Sequence, residues 1–470
     1  MADRFPVTLV DSVAYLLRMR AETGVINCVL SLSGQIDESR LRRAVRLAMD
    51  AEPILGCRFV ERWYRPYWSR RTDLDELPLC EVVSGDDDPC ALAHFLTASL
   101  DPARDPLLKA LVLRAKSDTV CLKSSHTVGD GPSFVRVVEL VLRIYCRLKE
   151  DPKLVPVPNL AGVRHLQDLG RQLSFRQRLQ VVRDIRASRS APAATWGFPE
   201  ITGRKPFCGY VMLKLGRDRV RELTRYARHR GATMTSLLLV ASYLAARDVC
   251  QVLTSGFATL AVTADLRRFL PRKRRQTAVS NMSSPWRVWF DPRRDADFDE
   301  ILAFVRDQLK RVKDPTQMAS SASLFIAFPP LRACFALLPL SLIGHGLKSH
   351  LRRTSSRPER RLCLANMGEI DLQPADLHDL SVDDAYFTGP VSLGPGVSLI
   401  CSTFRGALTL TLGVSDRVMD IAAARRLLEQ VDRHLPFHSA MPGTVSALES
   451  ARDWSDVDGG LMPRKPTPTE

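Results

Sequence analysis

The 11 cysteines of this 470-residue chain include no C-x-x-C pair, which leaves no basis for a zinc knuckle or a dithiol redox motif. They are scattered from Cys28 to Cys401, and an odd number gives no disulfide framework. They read instead as small apolar side chains in a reducing compartment. Residues 1–7 hold no apolar signal stretch, so a cytoplasmic location is expected. Aromatic residues are only 7% of the chain. The arginine-rich stretches at 40–46, 171–189, 267–275 and 352–361 show no interleaving with aromatics of the kind a single-strand nucleic-acid surface requires. Nucleic acid is therefore not an expected partner, although the net charge is +15. The dispersed charge reads as a solvated basic surface, or as attraction for an anionic substrate such as the phosphates of coenzyme A, or for an anionic membrane surface.

What is present is core material for two bodies. Hydrophobic residues make up 45% and charged residues 25%, ordinary globular proportions. The length exceeds what one core sustains, so two lobes are expected. The first, 1–186, alternates helices and strands. Asp11 is placed to cap a helix through Leu17. Asp37 opens another, with Leu41, Val45 and Ala48 on one face. Two strands, 107–115 and 119–124, follow in quick succession around a Ser117-Asp118 turn. A Ser-, Ala-, Pro- and Gly-containing stretch, 187–206, reads as the connection between lobes. The second lobe, 207–440, opens with a strand and a helix ended by Gly231. Thr235 is placed to cap the next helix, and Arg405-Gly406 turns a late hairpin. The remainder, 441–470, reads as a polar, disordered tail.

One run is unusually apolar. Residues 324–347, from Leu324 through Leu347, are broken mainly by Arg332 and by Pro329, Pro330 and Pro339, and are followed by Lys348, Arg352 and Arg353. The length could span a bilayer, but the prolines favour a buried helical hairpin first. A peripheral membrane contact or a mouth for a hydrophobic substrate comes second.

The chemistry is concentrated in Ser125-His126-Thr127-Val128-Gly129-Asp130-Gly131, between a strand pair and a helix that begins at Pro132. A histidine leaving a strand end, with an acid four residues on, places an imidazole and a carboxylate in one tight turn. Imidazole accepts protons near neutral pH, so His126 is suited to take one from a hydroxyl or amine. Asp130 can hold the turn by pairing with an arginine, and Gly131 leaves room for close approach.

His126-x-x-x-Asp130-Gly131 resembles the signature of the chloramphenicol acetyltransferase-like superfamily, which includes peptide-synthetase condensation domains, alcohol acetyltransferases, polyketide-associated acyltransferases and wax ester synthases. The likeness extends to the helix from Asp37 to Ala44, to Gly231-Ala232-Thr233, to Asp265-Leu266-Arg267 with Ser280-Asn281, and to a late strand carrying Asn366 and Gly368. It implies an α/β fold of two sandwich lobes forming a V around a central tunnel. An acyl thioester and an acceptor would enter from opposite sides, with His126 as general base and no acyl-enzyme. It also implies Asn281 and Ser283 as oxyanion donors, Arg267 as the partner of Asp130, and Asp265 as a structural residue. The co-substrate would be acyl-CoA or an acyl carrier thioester, with no bound cofactor or metal. The acceptor would be an alcohol or amine, of hydrophobic character if the 324–347 run lines the site. Ser125 stands where many relatives carry a first histidine, which favours O-acylation over peptide-type condensation. Amide formation by a freestanding condensation-type enzyme, or a non-catalytic scaffold on the same fold, remain the alternatives.

Overall fold

The computed structural model describes residues 4–17, 23–63, 65–84, 90–162, 164, 173–190, 196–197, 207–252, 258–270, 278–291, 296–311, 314, 316, 338–355, 361–372, 377, 380–391, 396–415 and 418–451. The architecture is mixed α/β and two-lobed, each lobe centred on one sheet.

In the first lobe, β1 (Arg4–Pro6), β4 (Tyr67–Arg70) and β3 (Cys57–Val60) form a small antiparallel sheet. In its main sheet, β2 (Val25–Leu32) lies antiparallel to β7 (Thr119–Ser125), which pairs with β6 (Leu108–Arg114); β5 (Cys80–Ser84) adds in parallel at the edge. Seven of the eight residues of β2 are buried, which requires cover on both faces. Successive side chains point to opposite faces, and the packing follows that period. Cys28 and Leu30 of β2 and Leu122 of β7 face α2 (Glu38–Ala51) and α4 (Gly131–Glu150). Val29 and Cys121 face α3 (Ala91–Thr97) and, from the second lobe, Cys208 and Tyr210. Helix α4 buries Phe134, Val138, Val141 and Tyr145, spaced to form one stripe.

The second lobe carries a seven-stranded sheet in the order β12-β11-β13-β15-β16-β9-β17. Its members are β9 (Phe207–Leu215), β11 (Ala258–Asp265), β12 (Ser283–Phe290), β13 (Arg361–Glu369), β15 (Gly396–Phe404), β16 (Ala407–Ser415) and β17 (Thr444–Ala451). Helices α6 (Arg217–His229), α7 (Met234–Val249), α8 (Phe298–Arg311) and α10 (Ile421–His434) cover it. Ten of the sixteen residues of α7 are buried because α8 and α10 flank it. Arg405 and Gly406 have φ of 46° and 81°, the left-handed pair expected of a two-residue hairpin turn.

Several expectations change. The chain's halves are not the lobes: β14 (Val382–Thr388), from the second half, pairs antiparallel with β2 and completes the first sheet. A buried strand such as β2 cannot be left with an open edge, and β14 supplies the missing partner. The expected tail from 441 is corrected at its start, because β17 pairs along the whole of β9, from Thr444↔Lys214 to Ala451↔Phe207; residues 452–470 lie outside the described set. The 187–206 connection is entered by α5 (Phe175–Ser190), and β8 (Trp196–Gly197) pairs with β10 (Gln251–Val252); 191–195 and 198–206 are outside the described residues.

Two caps also move. Thr233, not Thr235, caps α7, sharing a capping box with Ser236; its hydroxyl reaches the third amide of the helix, which Thr235, already helical, cannot. Asp11 lies in the first turn of α1 (Leu9–Leu17), where it and Thr8 exchange side-chain-to-backbone hydrogen bonds of 3.1 Å each.

Of the apolar 324–347 run, 324–337 fall outside the described residues. The rest opens α9 (Leu340–Ser355), where Leu340 is buried and Leu342 is 56% exposed. Among the described residues, no helix is long and apolar enough to cross a membrane.

Candidate active site

Strand β7 ends at Ser125 and α4 begins at Gly131, so the five residues between them must reverse the chain within a single turn. Gly24, at φ +54°, precedes β2 and presents its carbonyl to the His126 amide at 2.9 Å. The left-handed conformation costs glycine little. On the other side of the peptide, Asn281 Nδ2 donates to the carbonyls of His126 and Thr127, both at 3.1 Å. The backbone of His126 is thus held by both halves of the chain. From Val120 to Asp130 every residue is buried except His126. Its ring nitrogens make no hydrogen bond with any described residue.

Asp130 does the opposite work. Its side chain is 3% exposed and accepts five hydrogen bonds. Oδ1 takes the Ser133 amide at 3.1 Å, which makes Asp130 the N-cap of α4, and Arg267 Nη2 at 2.9 Å. Oδ2 takes Arg267 Nη1 at 2.9 Å, the Met282 amide at 2.7 Å and the Ser283 hydroxyl at 2.8 Å. Burial alone would raise the pKa of this carboxyl, but the Arg267 charge and the donated hydrogen bonds outweigh it. The net result lies below the ordinary value. For Arg267 burial works against the charge, and Asp130 more than offsets it, so its pKa is raised. The carboxylate is therefore held as the anion near neutral pH and committed to the turn.

Arg267 is the centre of this network. Besides the bidentate pair it donates to the Ser133 hydroxyl at 2.8 Å, to the Ser280 carbonyl at 2.7 Å and to Asp265 Oδ1 at 3.0 Å. Asp265 in turn caps the short 3₁₀ turn that begins at Leu266, accepting the Arg267 amide at 3.0 Å. Asp130 and Arg267 are 137 residues apart, and their contact joins the β7–α4 turn of the first lobe to the end of β11 in the second.

The geometry corrects one expectation. Asn281 spends both amide hydrogens on the carbonyls of residues 126 and 127, and Ser283 donates its hydroxyl proton to Asp130. Neither side chain has a donor left for an oxyanion; both hold the loop. Gly131 is close-packed: a Cβ there would lie 2.5 Å from Met367 Sδ. On the same strand, Asn366 Nδ2 donates to Thr235 Oγ1 at 3.0 Å, and Asn366 Oδ1 accepts the Gly368 amide at 2.9 Å.

Sequence reasoning missed Ser133, the Met282 amide, Gly24 and Met367, and gave Ser280 no role. A signal existed for Ser133: an Asp followed by Gly-Pro, with Ser at the third helical position, is a helix start. The Met282 amide and the Gly24 carbonyl are backbone groups and left none. Among the described residues no cluster of His, Cys, Asp or Glu could hold a metal ion.

The fold is that of the chloramphenicol acetyltransferase-like condensation and acyltransferase proteins. No family model matches the chain, and no curated protein matches it in sequence. Solved structures do match. A trichothecene 15-O-acetyltransferase from Fusarium sporotrichioides superposes with a TM-score of 0.65 at 14% identity, over 92% of this chain and 95% of the other. The polyketide synthase associated protein 5 of Mycobacterium tuberculosis gives 0.62 at 14%, over 93% and 99%. The first condensation domain of the CDA synthetase gives 0.63 at 14%, over 93% and 97%.

Proposed function

We propose that this protein transfers an acyl group from an acyl thioester, acyl-CoA, to an alcohol, with His126 as general base. The observation that carries the reading is the one residue of an otherwise buried turn that stays only half-buried: His126, its backbone anchored at Gly24 and Asn281. A histidine that only packed would be covered; one that only decorated a surface would not need its peptide held from two sides.

The acceptor hydroxyl gives its proton to the imidazole as its oxygen attacks the thioester carbonyl, forming a tetrahedral intermediate. When that collapses, the C–S bond breaks and the thiolate leaves, taking the proton back from the imidazolium. No acyl-enzyme forms, and no resident cofactor is required. General base catalysis of this kind supplies about 10²- to 10⁴-fold. Asp130, Gly131 and Arg267 act by position, fixing the turn that aims the imidazole. A channel between the lobes, giving thioester and acceptor separate access to His126, belongs to the proposal, as does a cytoplasmic location. The likeness to the trichothecene 15-O-acetyltransferase supports O-acylation; the likeness to the condensation domain supports amide formation as the second reading.

The test is thiol release from acetyl-CoA and longer acyl-CoA with a panel of alcohols and amines. His126→Ala is expected to lower turnover by at least about 100-fold while the unfolding curve stays unchanged. Turnover that survives the substitution removes His126 from the mechanism. Turnover with amines alone replaces ester with amide formation.

A further inference from the structure

We infer that a basic groove on the second lobe binds the phosphate groups of the thioester donor, the diphosphate and 3′-phosphate of coenzyme A; this deepens the proposed acyl transfer and rests on it for the identity of the donor. The groove has a volume of about 810 Å³ and runs between α6 and the β15–β16 turn. Arg217, Arg221, Arg225 and Arg228 line it from successive turns of α6, and Arg405 lines it from the hairpin. Spacings of four, four and three residues put the helical arginines on one face, while Val220, Leu223 and Ala227 are buried beneath. One carboxylate, Glu369, shares the lining. Five arginines against one carboxylate leave the lining at +4.

Part of this charge is answered locally. Arg221 pairs with Asp218 and Arg225 with Glu222, both at 2.8 Å and both exposed, so these pairs are weak and easily exchanged. Arg217, Arg228 and Arg405 make no ion pair with any described residue. Like charges repeated at helical spacing repel one another. Such a row, unneutralised from within, is what a polyanionic ligand would stabilise, and the guanidinium fork matches phosphate oxygens in pairs.

Length and place narrow the ligand. From Arg217 to Arg228 the helix rises about 16 Å, more than one phosphate spans but suited to two separated phosphate groups. The volume is that of a small-molecule site. On β13, Glu369 lies two residues beyond Met367, the side chain that packs on Gly131. Two residues cover at most about 7 Å, and less at the irregularity between Asn366 and Glu369. The groove therefore opens at the end of the sheet where the His126 turn is docked, and a flexible pantetheine arm can run from one to the other.

The experiment compares the wild-type chain with Arg228→Ala/Arg405→Ala, both exposed positions, after unfolding curves establish equal stability. Calorimetric titration uses free coenzyme A, dephospho-coenzyme A and pantetheine. Wild type is expected to bind coenzyme A more tightly than dephospho-coenzyme A. The double variant is expected to lose about 10- to 100-fold in coenzyme A affinity, with pantetheine unaffected. In turnover, KM for acyl-CoA rises by a similar factor at constant kcat, and KM for acyl-pantetheine does not move. Equal coenzyme A binding by variant and wild type, or none by wild type, overturns the inference. A variant that loses affinity for a holo acyl carrier protein but not for coenzyme A also overturns it and makes the groove a protein dock. The binding arm needs no acceptor. Groove-dependent coenzyme A binding without turnover therefore defeats acyl transfer alone, and His126-dependent turnover with unchanged KM defeats the groove alone.

Discussion

Arg267→Ala would take from the buried Asp130 carboxylate its ion-pair partner and leave three of its five hydrogen bonds, those from the Ser133 amide, the Met282 amide and the Ser283 hydroxyl. Both side chains are at most 7% exposed, so water cannot replace the guanidinium without opening the seam between lobes. Removing one member of such a pair costs about 3–5 kcal/mol, or roughly two to three and a half decades in the folding equilibrium. Asp130→Ala should cost about as much, since it strands a guanidinium and uncaps α4. The double variant should cost less than the sum by about 1–3 kcal/mol, because neither charge is then left alone. Arg267→Lys should fall between, as an ammonium cannot make the two parallel bonds to the carboxylate. Urea unfolding followed by circular dichroism and by tryptophan fluorescence measures all four. In turnover, the Arg267 variants should be slower with the shape of the pH profile retained, because the proposed proton acceptor, His126, is untouched. An Arg267→Ala loss of under about 1 kcal/mol, additive with Asp130→Ala, would mean that the pair behaves like an exposed one and that the turn is held by something else.

The same pair predicts the acid response. The Asp130 carboxyl titrates below its ordinary value in the folded chain. Its stabilisation is therefore complete above the ordinary carboxylate range and is lost as pH falls through the lowered value. Below about pH 4, wild type should lose stability more steeply than Arg267→Met, and parallel curves would contradict this. Elsewhere, Arg219 is 1% exposed, pairs with Asp432 and donates to the carbonyls of Asp432, Leu435 and Met441, pinning the turn that leads α10 into β17. Arg219→Met should cost about 3–5 kcal/mol and speed hydrogen exchange at the β17 amides; unchanged exchange there would refute the pinning.

Local signals carried a large part of the fold. The Asp37 cap, the strand pair before His126, the Gly231 stop and the Arg405-Gly406 turn are each set by neighbours within a few residues, and the structure has all four. Where two short-range readings compete, choice failed: Thr233 and Thr235 are both plausible caps, and only the register of the buried face of α7 selects the first. β17 was unreadable because its polar, Pro-flanked sequence carries no strand pattern of its own; the open edge of β9 recruits it.

The chain alone determined that an imidazole, a carboxylate and a glycine meet in one turn between a strand and a helix, because that depends only on residues 125–131 and the propensities beside them. It could not determine what those groups touch. Met282, Ser283, Asn281 and Arg267 reach the turn from more than 130 residues away, and whether Asn281 faces a substrate or a backbone carbonyl is a matter of ångströms set by how two sheets dock. Sequence spacing specifies local geometry through bond rotations; the division between the side chain left accessible and the ones committed to holding it exists only once both cores have closed around them.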